Sequence, residues 1–468
     1  METLTSSRWG ISTTVTPGLI TYPKCSGVDM RVVVIGNGTA GQTASAVAKK
    51  DAPDAEVIVL EKHRYPSYHP CALPYVVAGK LPLEDALERT TRPGIEVVVG
   101  AKATKIDTES KVVHYVKDGS DEKLDYDVLI IATGLTPTKP PIRGLELEGV
   151  RVLWDVEDAE YIVKHMGERV VVVGGSATGI EVAGALSEVD KEVWLVEMME
   201  QLMPGKIDPP VAAAAAKYLA SLGVKVLLKS PVKEIRGPTG RVSEVVAGDE
   251  VIEADTVIVA AGVKPNSQLA AESGLPIGET GGVKVDERLQ AAPGVYAAGD
   301  VAEVRDFVTG RPTVTGLVST ALVQGRIAGR NAVGGDLRYK GALSPFVVHV
   351  RDYLLAGVGL SSTQAERLSI PHITGRFSSQ DLEKYVPGSS KMVTWLVASP
   401  EGRVLGAQFW GQKEVWGRVT AATLAILHGM TLKDLLVTEF AYHPLVTPVS
   451  EPLTVLAASV MRRYMLRD

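Results

Sequence analysis

RVVVIGNGTAG, residues 31–41, is the stretch that decides the fold. Its first half is a nearly continuous apolar run, which is typical of a strand buried on both faces of a parallel sheet. Gly36, Gly38 and Gly41 follow in a spacing that permits a tight turn, close approach of a pyrophosphate to the backbone, and packing of a helix on the strand. We predict a strand over 31–35 and a helix over 40–50.

The next apolar run, residues 56–60, ends at Glu61, twenty residues after Gly41. This spacing completes a strand–helix–strand unit in which the acid accepts a hydrogen bond from a ribose hydroxyl. The alternative for Glu61 is an ordinary charged strand end on the surface. A further strand over 128–131 leads into Ala132-Thr133-Gly134, close to the same site.

The pattern is repeated later in the chain. A strand over 169–173 precedes Gly174, Gly175 and Gly179, a helix follows, and the strand over 192–196 ends at Glu197, eighteen residues after Gly179. Here we assign Gly175, the second glycine, to the close approach of the pyrophosphate to the backbone. Ala260-Ala261-Gly262 repeats the earlier Ala132-Thr133-Gly134. One such turn also joins strands to helices without any ligand, but two complete copies predict two dinucleotide sites.

The residues after the second acid bear on the choice of nucleotide. Met198, Met199 and Glu200 follow Glu197, so no arginine is available there for a 2′-phosphate. Glu197 itself is suited to a free ribose 2′-hydroxyl. The sequence therefore favours NADH and leaves NADPH as the alternative.

Composition limits the class of protein. The 468 residues are 45% hydrophobic and 22% charged, with a net charge of −6, so there is no basic footprint for nucleic acid. There are only two cysteines, Cys25 and Cys71, and no metal-ligand spacing, so we predict no metal and a reducing, cytoplasmic location. No apolar stretch is long enough to span a membrane.

Cys71 is the candidate nucleophile, in the polar loop YPSYHPCALPY, residues 65–75. A thiolate can attack a sulfur–sulfur bond, hold a fragment as a mixed disulfide and be reduced again. A helix that begins here would lower the thiol pKa, and His69 either assists or is only a surface group. A free cysteine is otherwise a small buried hydrophobe. No cysteine follows Cys71, so any sulfur partner comes with the substrate.

These motifs resemble the flavoprotein disulfide reductases over residues 30–468, and within them the single-cysteine branch. Ser67-x-x-x-Cys71-Ala72-Leu73-Pro74-Tyr75 is similar to the active-site loop of the coenzyme A-disulfide and persulfide reductases. The resemblance implies that the first turn binds FAD, the second binds NAD(P)H, and the C-terminal residues form a homodimer. The implied cofactor contacts are Gly36, Gly38, Thr39, Ala40, Gly41, Glu61, Lys62, Ala132, Thr133, Gly134, Gly299 and Asp300 for FAD, and Gly174, Gly175, Gly179, Glu181, Glu197 and Gly262 for NAD(P)H.

The fold class that follows is α/β, with two Rossmann-like domains and a C-terminal α+β dimerisation domain. Residues 1–29 are predicted to be an extension, either disordered or upstream of a true start at Met30. The predicted domains are 30–141 with 264–338 for FAD, 142–263 for NAD(P)H, and 339–468 for dimerisation.

Single positions separate the branches of the family. Peroxidases and oxidases carry a histidine inside the first turn where this chain has Thr39, and relatives often carry a tyrosine over the flavin where it has Ala177. By the same resemblance Tyr385 and Tyr442 reach the partner subunit's active site, although both are also ordinary packing residues in the alternative interpretation. The implied coenzyme A contacts are Thr43, Lys50, Ser67 and Tyr68, with Lys50 in place of an arginine.

The function that we predict is electron transfer from NADH, or NADPH, through FAD to Cys71, which reduces coenzyme A disulfide, coenzyme A persulfide or polysulfide. The first alternative is a water- or peroxide-forming NADH oxidase in which Cys71 cycles through sulfenic acid. The second is an electron carrier or redox sensor with a structural Cys71. A membrane quinone reductase is more remote, because the C-terminus is predicted to form only a short basic helix over 459–468.

Overall fold

The computed structural model describes residues 30–465, so the predicted extension over 1–29, with Cys25, lies outside the described residues. The first part of the chain forms a nucleotide-binding sheet, an antiparallel β-meander and the cysteine loop. Its elements are β1 (Arg31–Ile35), α1 (Thr39–Asp51), β2 (Glu56–Glu61), β3 (Ser67–Tyr68), α2 (Leu73–Val77), β4 (Leu87–Glu88), β5 (Glu96–Val99), β6 (Ala101–Asp107), β7 (Val112–Lys117), β8 (Ser120–Asp125), β9 (Val128–Ile131) and β10 (Leu135–Pro137).

The second part repeats the strand–turn–helix–strand unit and adds its own antiparallel β-meander. Its elements are β11 (Val150–Val152), α3 (Val156–His165), β12 (Arg169–Val173), α4 (Ala177–Leu186), β13 (Glu192–Val196), α5 (Pro209–Ser221), β14 (Lys225–Leu227), β15 (Val232–Arg236), β16 (Glu244–Ala247), β17 (Glu250–Glu253), β18 (Thr256–Val259) and β19 (Val263–Pro265).

The third part returns to the first sheet and then builds a separate antiparallel sheet. Its elements are α6 (Gln268–Glu272), β20 (Val283–Lys284), β21 (Gln290–Ala292), β22 (Val295–Ala297), β23 (Ala302–Arg305), β24 (Pro312–Thr313), α7 (Val318–Ala332), β25 (Phe346–Val350), β26 (Tyr353–Gly359), α8 (Ser362–Arg367), β27 (Ile373–Gln380), β28 (Lys391–Ala398), β29 (Val404–Gly411), α9 (Val415–Leu427), α10 (Leu432–Val437) and α11 (Pro452–Tyr464).

Three sheets organise these elements. The first has the order β21-β22-β9-β1-β2-β5, with β1 parallel to β2 and β9. The second, β11-β18-β12-β13-β14, is entirely parallel. The third, β25-β26-β29-β28-β27, is antiparallel. This α/β architecture with a C-terminal α+β sheet confirms the predicted fold class.

The chain comes back to its first sheet after completing the second. β22 pairs in parallel with β9, with Tyr296 opposite Ile130. α7 packs on α1 so closely that a side chain on either of two α7 glycines would strike α1: a Cβ on Gly325 would lie 2.5 Å from the Ala40 carbonyl oxygen, and one on Gly329 would lie 2.3 Å from that of Ala44. Small residues on both helices therefore bring α7 next to the first turn.

A buried acid joins the second sheet to the third. Asp208, which is fully buried, accepts hydrogen bonds from the hydroxyl of Ser362 at 2.5 Å, from the backbone N–H of Thr363 at 3.1 Å and from the side-chain amide of Gln408 at 2.7 Å. These bonds satisfy a carboxylate that burial alone would penalise. They fix the third sheet against the second.

The C-terminal helix differs from the sequence prediction. In place of a short basic helix over 459–468, α11 begins at Pro452 and runs to Tyr464. Leu453, Leu456 and Val460 face the core of the third domain, and only the last turn carries Arg462 and Arg463. The prediction relied on the charged end and missed the apolar face that comes before it.

Candidate active site

The first glycine turn joins β1 to α1 at the edge of the first sheet. Gly36 has φ of 96°, in the left-handed region, and a Cβ there would lie 2.5 Å from the Ala132 carbonyl oxygen. A Cβ on Gly41 would lie 1.9 Å from the carbonyl oxygen of Gly36, so this glycine lets α1 pack on the turn. Gly38 precedes α1 without any side-chain cap, and a Cβ there would meet nothing within 4 Å. The turn therefore presents uncapped helix N–H groups to open space, as an anion site does.

Glu61 closes the other side of this turn. One carboxylate oxygen accepts from the Asn37 N–H at 2.8 Å, and the other accepts from the His63 N–H at 2.9 Å and lies 2.7 Å from the His63 ring nitrogen Nδ1. Burial acts to raise the pKa of Glu61, but the bonds from His63 and Asn37 outweigh it and lower the pKa. A carboxylate has about four acceptor positions, so the ionised group can still accept from a hydroxyl.

Most of the FAD contacts implied by the sequence line one cleft of about 490 Å³. The lining runs from Glu61, over the turn, to Asp300 and to Pro70, the residue before Cys71. The predicted residues that line it are Gly36, Gly38, Thr39, Ala40, Glu61, Lys62, Ser67, Tyr68, Ala132, Thr133, Gly134, Gly299 and Asp300. Gly41 does not line the cleft; its part is the packing of α1.

The far end of the cleft is built by Asp300 and α7. The Asp300 carboxylate accepts from the Leu317 N–H at 3.2 Å and from the Thr315 hydroxyl at 3.4 Å. Burial raises the pKa of Asp300 against these bonds. Val318 and Ala321, in the first turn of α7, line the cleft, and this helix also has no side-chain cap. An open glycine turn, a ribose-type acid and a second uncapped helix fit a flavin dinucleotide.

The second glycine turn corrects one assignment. Gly175 occupies the place of Asn37, not of Gly38: its N–H donates to Glu197 at 2.6 Å, and a Cβ there would lie 2.8 Å from Leu202 and 3.0 Å from the Glu197 carboxylate. Ser176 takes the place of Gly38 and caps α4 by accepting from the Gly179 N–H at 3.2 Å. Gly175 is therefore a packing glycine, because the second motif is spaced GGxxxG.

The rim of the second turn is open. Glu197 also accepts from the Met199 N–H at 2.7 Å, and Met198 and Met199 are exposed beside it. The exposed Lys229 follows the neighbouring strand, and its N–H donates to the Met199 carbonyl at 2.8 Å. This cation lies about thirty residues further along the chain than Met198, Met199 and Glu200, so the local sequence does not place it beside the second turn.

Three side-chain hydrogen bonds join the cysteine loop to other segments of the chain. Asn37 Nδ2 donates to the Pro66 carbonyl at 2.8 Å, the Tyr68 hydroxyl donates to the Trp154 carbonyl at 3.2 Å, and the Tyr65 hydroxyl donates to Glu157 at 3.1 Å. Asn37 thus ties the first turn to the loop, a role that its place between two glycines did not reveal. The loop is fixed to both nucleotide-binding halves.

Cys71 itself lies in a 3₁₀ turn, Pro70–Ala72, directly before α2. Its side chain is exposed, and it is the free cysteine of the described residues. The expectation of a lowered thiol pKa is wrong, because the pKa of Cys71 is raised. The first cause is desolvation of the thiol by the surrounding protein, and the second is the charge of Glu181. A helix of five residues offers only a weak dipole against these two effects.

Glu181, Tyr75 and His349 lie together next to Cys71. The His349 N–H donates to Glu181 at 3.4 Å, and the Tyr75 hydroxyl lies 3.1 Å from His349 Nδ1. Burial raises the pKa of Glu181 to about 7. Glu181 was predicted from the family pattern, whereas no sequence signal pointed to His349, which comes from another domain.

The two dimer-domain tyrosines are neighbours on an exposed surface. Tyr385 is 72% and Tyr442 49% exposed, and a hydrogen bond from one to the other raises the pKa of Tyr442. No hydrogen bond joins either of them to Cys71 within residues 30–465. Val437, Leu445 and Val449 are exposed apolar residues close to Tyr442 in sequence.

The implied coenzyme A contacts are only partly together. Ser67 and Tyr68 line the first cleft. The Thr43 hydroxyl instead donates to the Thr39 carbonyl at 2.7 Å, within α1. Lys50 is exposed near the end of the same helix.

Two family models match this chain. The model for pyridine nucleotide-disulphide oxidoreductases matches residues 30–325, and the model for the dimerisation domain of these enzymes matches residues 345–452. An NAD(P)H sulfur oxidoreductase (CoA-dependent) of Pyrococcus abyssi is 34% identical over 443 residues, which are 92% of this chain and 98% of that protein. An NADH oxidase of Methanocaldococcus jannaschii is 33% identical over 446 residues, 93% of this chain and 99% of that protein.

A solved structure extends the similarity to three dimensions. The NAD-dependent persulfide reductase of A. fulgidus superposes with a TM-score of 0.89 at 35% identity, over 93% of this chain and 83% of that chain. The fold and the site therefore define a flavoprotein oxidoreductase that uses a nicotinamide cofactor. The chain belongs to the pyridine nucleotide-disulphide oxidoreductase family, which implies FAD and NAD(P)H as cofactors.

Residues 30–465 contain neither a candidate membrane span nor a candidate metal cluster. No helix there is both long and apolar enough to cross a bilayer. No group of three or more His, Cys, Asp or Glu side chains in that range could hold a metal ion.

Proposed function

We propose that the enzyme transfers electrons from NADH, or NADPH, to sulfur–sulfur bonds of coenzyme A disulfide, coenzyme A persulfide or polysulfide, with Cys71 as the nucleophile. The observation that carries this proposal is the position of one exposed thiol beside Pro70, at the end of the first cleft. The relatives named for CoA-dependent sulfur reduction and persulfide reduction support it. We propose that the FAD domain comprises residues 30–141 with 264–338, and that the NAD(P)H domain comprises residues 142–263.

In the proposed reaction the Cys71 sulfur attacks one sulfur of the substrate. A Cys71–sulfur bond forms, the substrate sulfur–sulfur bond breaks, and the leaving sulfur takes a proton and departs as a thiol or hydrosulfide. FAD, when bound, would supply the two electrons that break the Cys71–sulfur bond, so that Cys71 returns as a thiolate and the sulfur fragment it held takes a proton and leaves as a second thiol or hydrosulfide. Asn37, Tyr65 and Tyr68 hold the loop that positions Cys71 for both steps.

The leaving sulfur needs a proton donor, and within residues 30–465 no hydrogen bond joins Tyr385 or Tyr442 to Cys71 of the same chain. We propose that Tyr442 of the partner subunit, supported by the partner subunit's Tyr385, supplies that proton in a homodimer formed by residues 339–468. The mutual contact of the two tyrosines and their exposure support this role. The exposed Val437, Leu445 and Val449 supply apolar area for the dimer contact.

Tyr442→Phe tests the shared site. The change keeps the ring, so the dimer should persist in sedimentation, while substrate reduction should slow by about ten- to a thousandfold. Reduction of the flavin by NADH should stay near normal. Equal losses in both half-reactions would make Tyr442 an interface residue only.

An NADH oxidase that turns over through a Cys71 sulfenic acid is the second candidate, favoured by the relative from Methanocaldococcus jannaschii. Steady-state oxygen uptake should be compared with turnover of coenzyme A disulfide, coenzyme A persulfide and polysulfide. The proposal expects the largest kcat/KM for one of the sulfur substrates, and mass spectrometry of the isolated protein should find coenzyme A or extra sulfur on Cys71. Faster turnover with oxygen than with every sulfur substrate would select the oxidase.

A further inference from the structure

Three parallel strands of the second sheet end side by side. β12, β13 and β14 are neighbours in that order, with Val173 opposite Val196 and Val196 opposite Leu227. The glycine turn after β12, the acid after β13 and the residues after β14 therefore follow one edge of the sheet. Ligands of open α/β sheets bind outside the carboxyl ends of the strands, which is this edge. The residues after β14 are thus neighbours of a nucleotide held at the second turn.

Backbone hydrogen bonds fasten the turn after β14 to the segment that begins at Glu197. The Lys229 N–H donates to the Met199 carbonyl at 2.8 Å. The Ser230 N–H donates to the Glu197 carbonyl at 2.9 Å. In return the Glu197 N–H donates to the Leu227 carbonyl at 2.8 Å. Bonds on both sides of Lys229 therefore hold it beside this acid and the residues that follow it.

The Lys229 side chain is exposed, and its ammonium makes no hydrogen bond or ion pair within residues 30–465. Its backbone has φ of 56°, in the left-handed region, which asparagine and glycine adopt more readily than lysine does. Lys225, at the other end of β14, instead pairs with Glu192 and lies over the Trp194 ring, 4.8 Å from its centroid. Lys229 therefore carries an unneutralised charge at the nucleotide edge, whereas the charge of Lys225 is neutralised at the opposite edge.

Glu197 on its own disfavours a phosphorylated ribose. Its two carboxylate oxygens accept from the Gly175 N–H at 2.6 Å and from the Met199 N–H at 2.7 Å, so the carboxylate is held at the turn. A ribose 2′-hydroxyl can donate to this carboxylate, whereas a 2′-phosphate would be repelled by its charge. A cation beside the same acid offsets that repulsion, and a lysine does so as a compact charge on a flexible stem.

We propose that Lys229 is a specificity-determining residue: its ammonium binds the 2′-phosphate of NADPH, so that the second turn accepts NADPH as well as NADH. NADH lacks this phosphate and gains nothing from Lys229. Met198, Met199 and Glu200 by themselves favour NADH, so the use of both nucleotides depends on a residue from the neighbouring strand. The inference concerns the electron donor and does not depend on which sulfur compound is reduced.

The test is calorimetric titration of the oxidised, FAD-loaded enzyme with ADP-ribose and with 2′-phospho-ADP-ribose, which differ only in the phosphate. Lys229→Asn removes the cation, and because asparagine adopts the left-handed backbone readily, the turn should persist. The dissociation constant for 2′-phospho-ADP-ribose should rise by about five- to twentyfold, and that for ADP-ribose should change by less than about twofold. Lys225→Asn is the matched control on the same strand and should change neither constant.

Two further variants grade the charge. Lys229→Arg keeps a cation and should bind 2′-phospho-ADP-ribose within about threefold of the wild type, whereas Lys229→Glu should bind it more weakly than Lys229→Asn does. Anaerobic reduction of the flavin by NADPH should follow the same order, and reduction by NADH should not. Equal weakening of both nucleotides in Lys229→Asn, or no weakening of either, would overturn the proposal. Neither measurement contains a sulfur substrate, so the result is independent of the role of Cys71.

Discussion

At the first glycine turn the residue before the helix is Gly38, whereas at the second it is Ser176. Gly38 leaves the N-terminus of α1 uncapped and faces open space. Ser176 uses its hydroxyl both to accept from the Gly179 N–H and to donate to the Ala260 carbonyl at 3.0 Å. The N–H groups at the start of α1 are therefore available to bind a ligand. At the start of α4 one such group, the Gly179 N–H, is already bonded to the capping serine.

The acids show the same contrast. Both Glu61 and Glu197 accept from the N–H inside their turn, at Asn37 and Gly175. Glu61 also contacts His63 and lines the enclosed first cleft, whereas Glu197 is followed by the exposed Met198. The difference suits a tightly held cofactor at the first turn and an exchanging one at the second.

The largest effect should come from Gly41→Ala, compared with Gly179→Ala. In each variant the new Cβ lies 1.9 Å from a carbonyl oxygen of the turn, so helix and strand must separate at a cost of about 2 kcal/mol or more. Gly41→Ala should lose bound flavin and melt at lower temperature. Gly179→Ala should stay yellow and lose reduction by NADH. Flavin absorbance, thermal melting and anaerobic mixing with NADH measure the three quantities. Equal flavin loss in both would break the contrast.

A smaller effect is expected at the capping positions. Gly38→Ala adds a methyl group that meets no protein atom, so the flavin-free protein should melt as the wild type does. Its affinity for FAD should fall by about tenfold, or about 1.4 kcal/mol, because the methyl group faces the phosphate site.

Ser176→Ala, at the matched position, should do the opposite. Loss of the cap should cost about 1 kcal/mol of stability and leave the affinity for FAD unchanged. Chemical denaturation and fluorescence titration with FAD separate the two results. A stability loss in Gly38→Ala without a change in FAD affinity would reverse the assignment of the turns.

The smallest effect concerns pH. Because the folded protein lowers the pKa of Glu61, its ionised form adds stability that is complete above the unfolded value of about 4.3 and is lost as the pH falls through the folded value. Glu61→Gln should lack that contribution, so its stability should fall less than that of the wild type in acid. Denaturation at pH 3 and pH 6 measures the difference. Parallel curves would remove Glu61 from the account.

The regular elements of the fold were largely predictable from the sequence, because each is specified by a local pattern. The strands over 31–35, 169–173 and 192–196 are found as predicted, since each is a short apolar run bounded by a turn. α11 was predicted poorly because its buried face matters more than its charged end. The spacing of apolar residues along a helix indicates which of its faces is buried. A prediction based on the charged residues alone therefore misses the helix that comes before them.

The site could be predicted only in part. The motifs located both turns, both acids and Cys71, because these have fixed spacings. Asn37, His349 and Lys229 were missed, since their contacts with the cysteine loop, Glu181 and Met199 join segments distant in sequence. The raised thiol pKa was missed for the same reason, because desolvation by the surrounding protein, and after it the charge of Glu181, depend on segments distant in sequence.

The most direct test of the account is anaerobic reduction of coenzyme A persulfide by NADH in the wild type and in Cys71→Ser. The serine should still bind FAD and let NADH reduce it within about twofold of the wild-type rate, while release of hydrosulfide should fall by about a thousandfold or more. Hydrosulfide release at the wild-type rate from Cys71→Ser would contradict the assignment of Cys71 as the nucleophile.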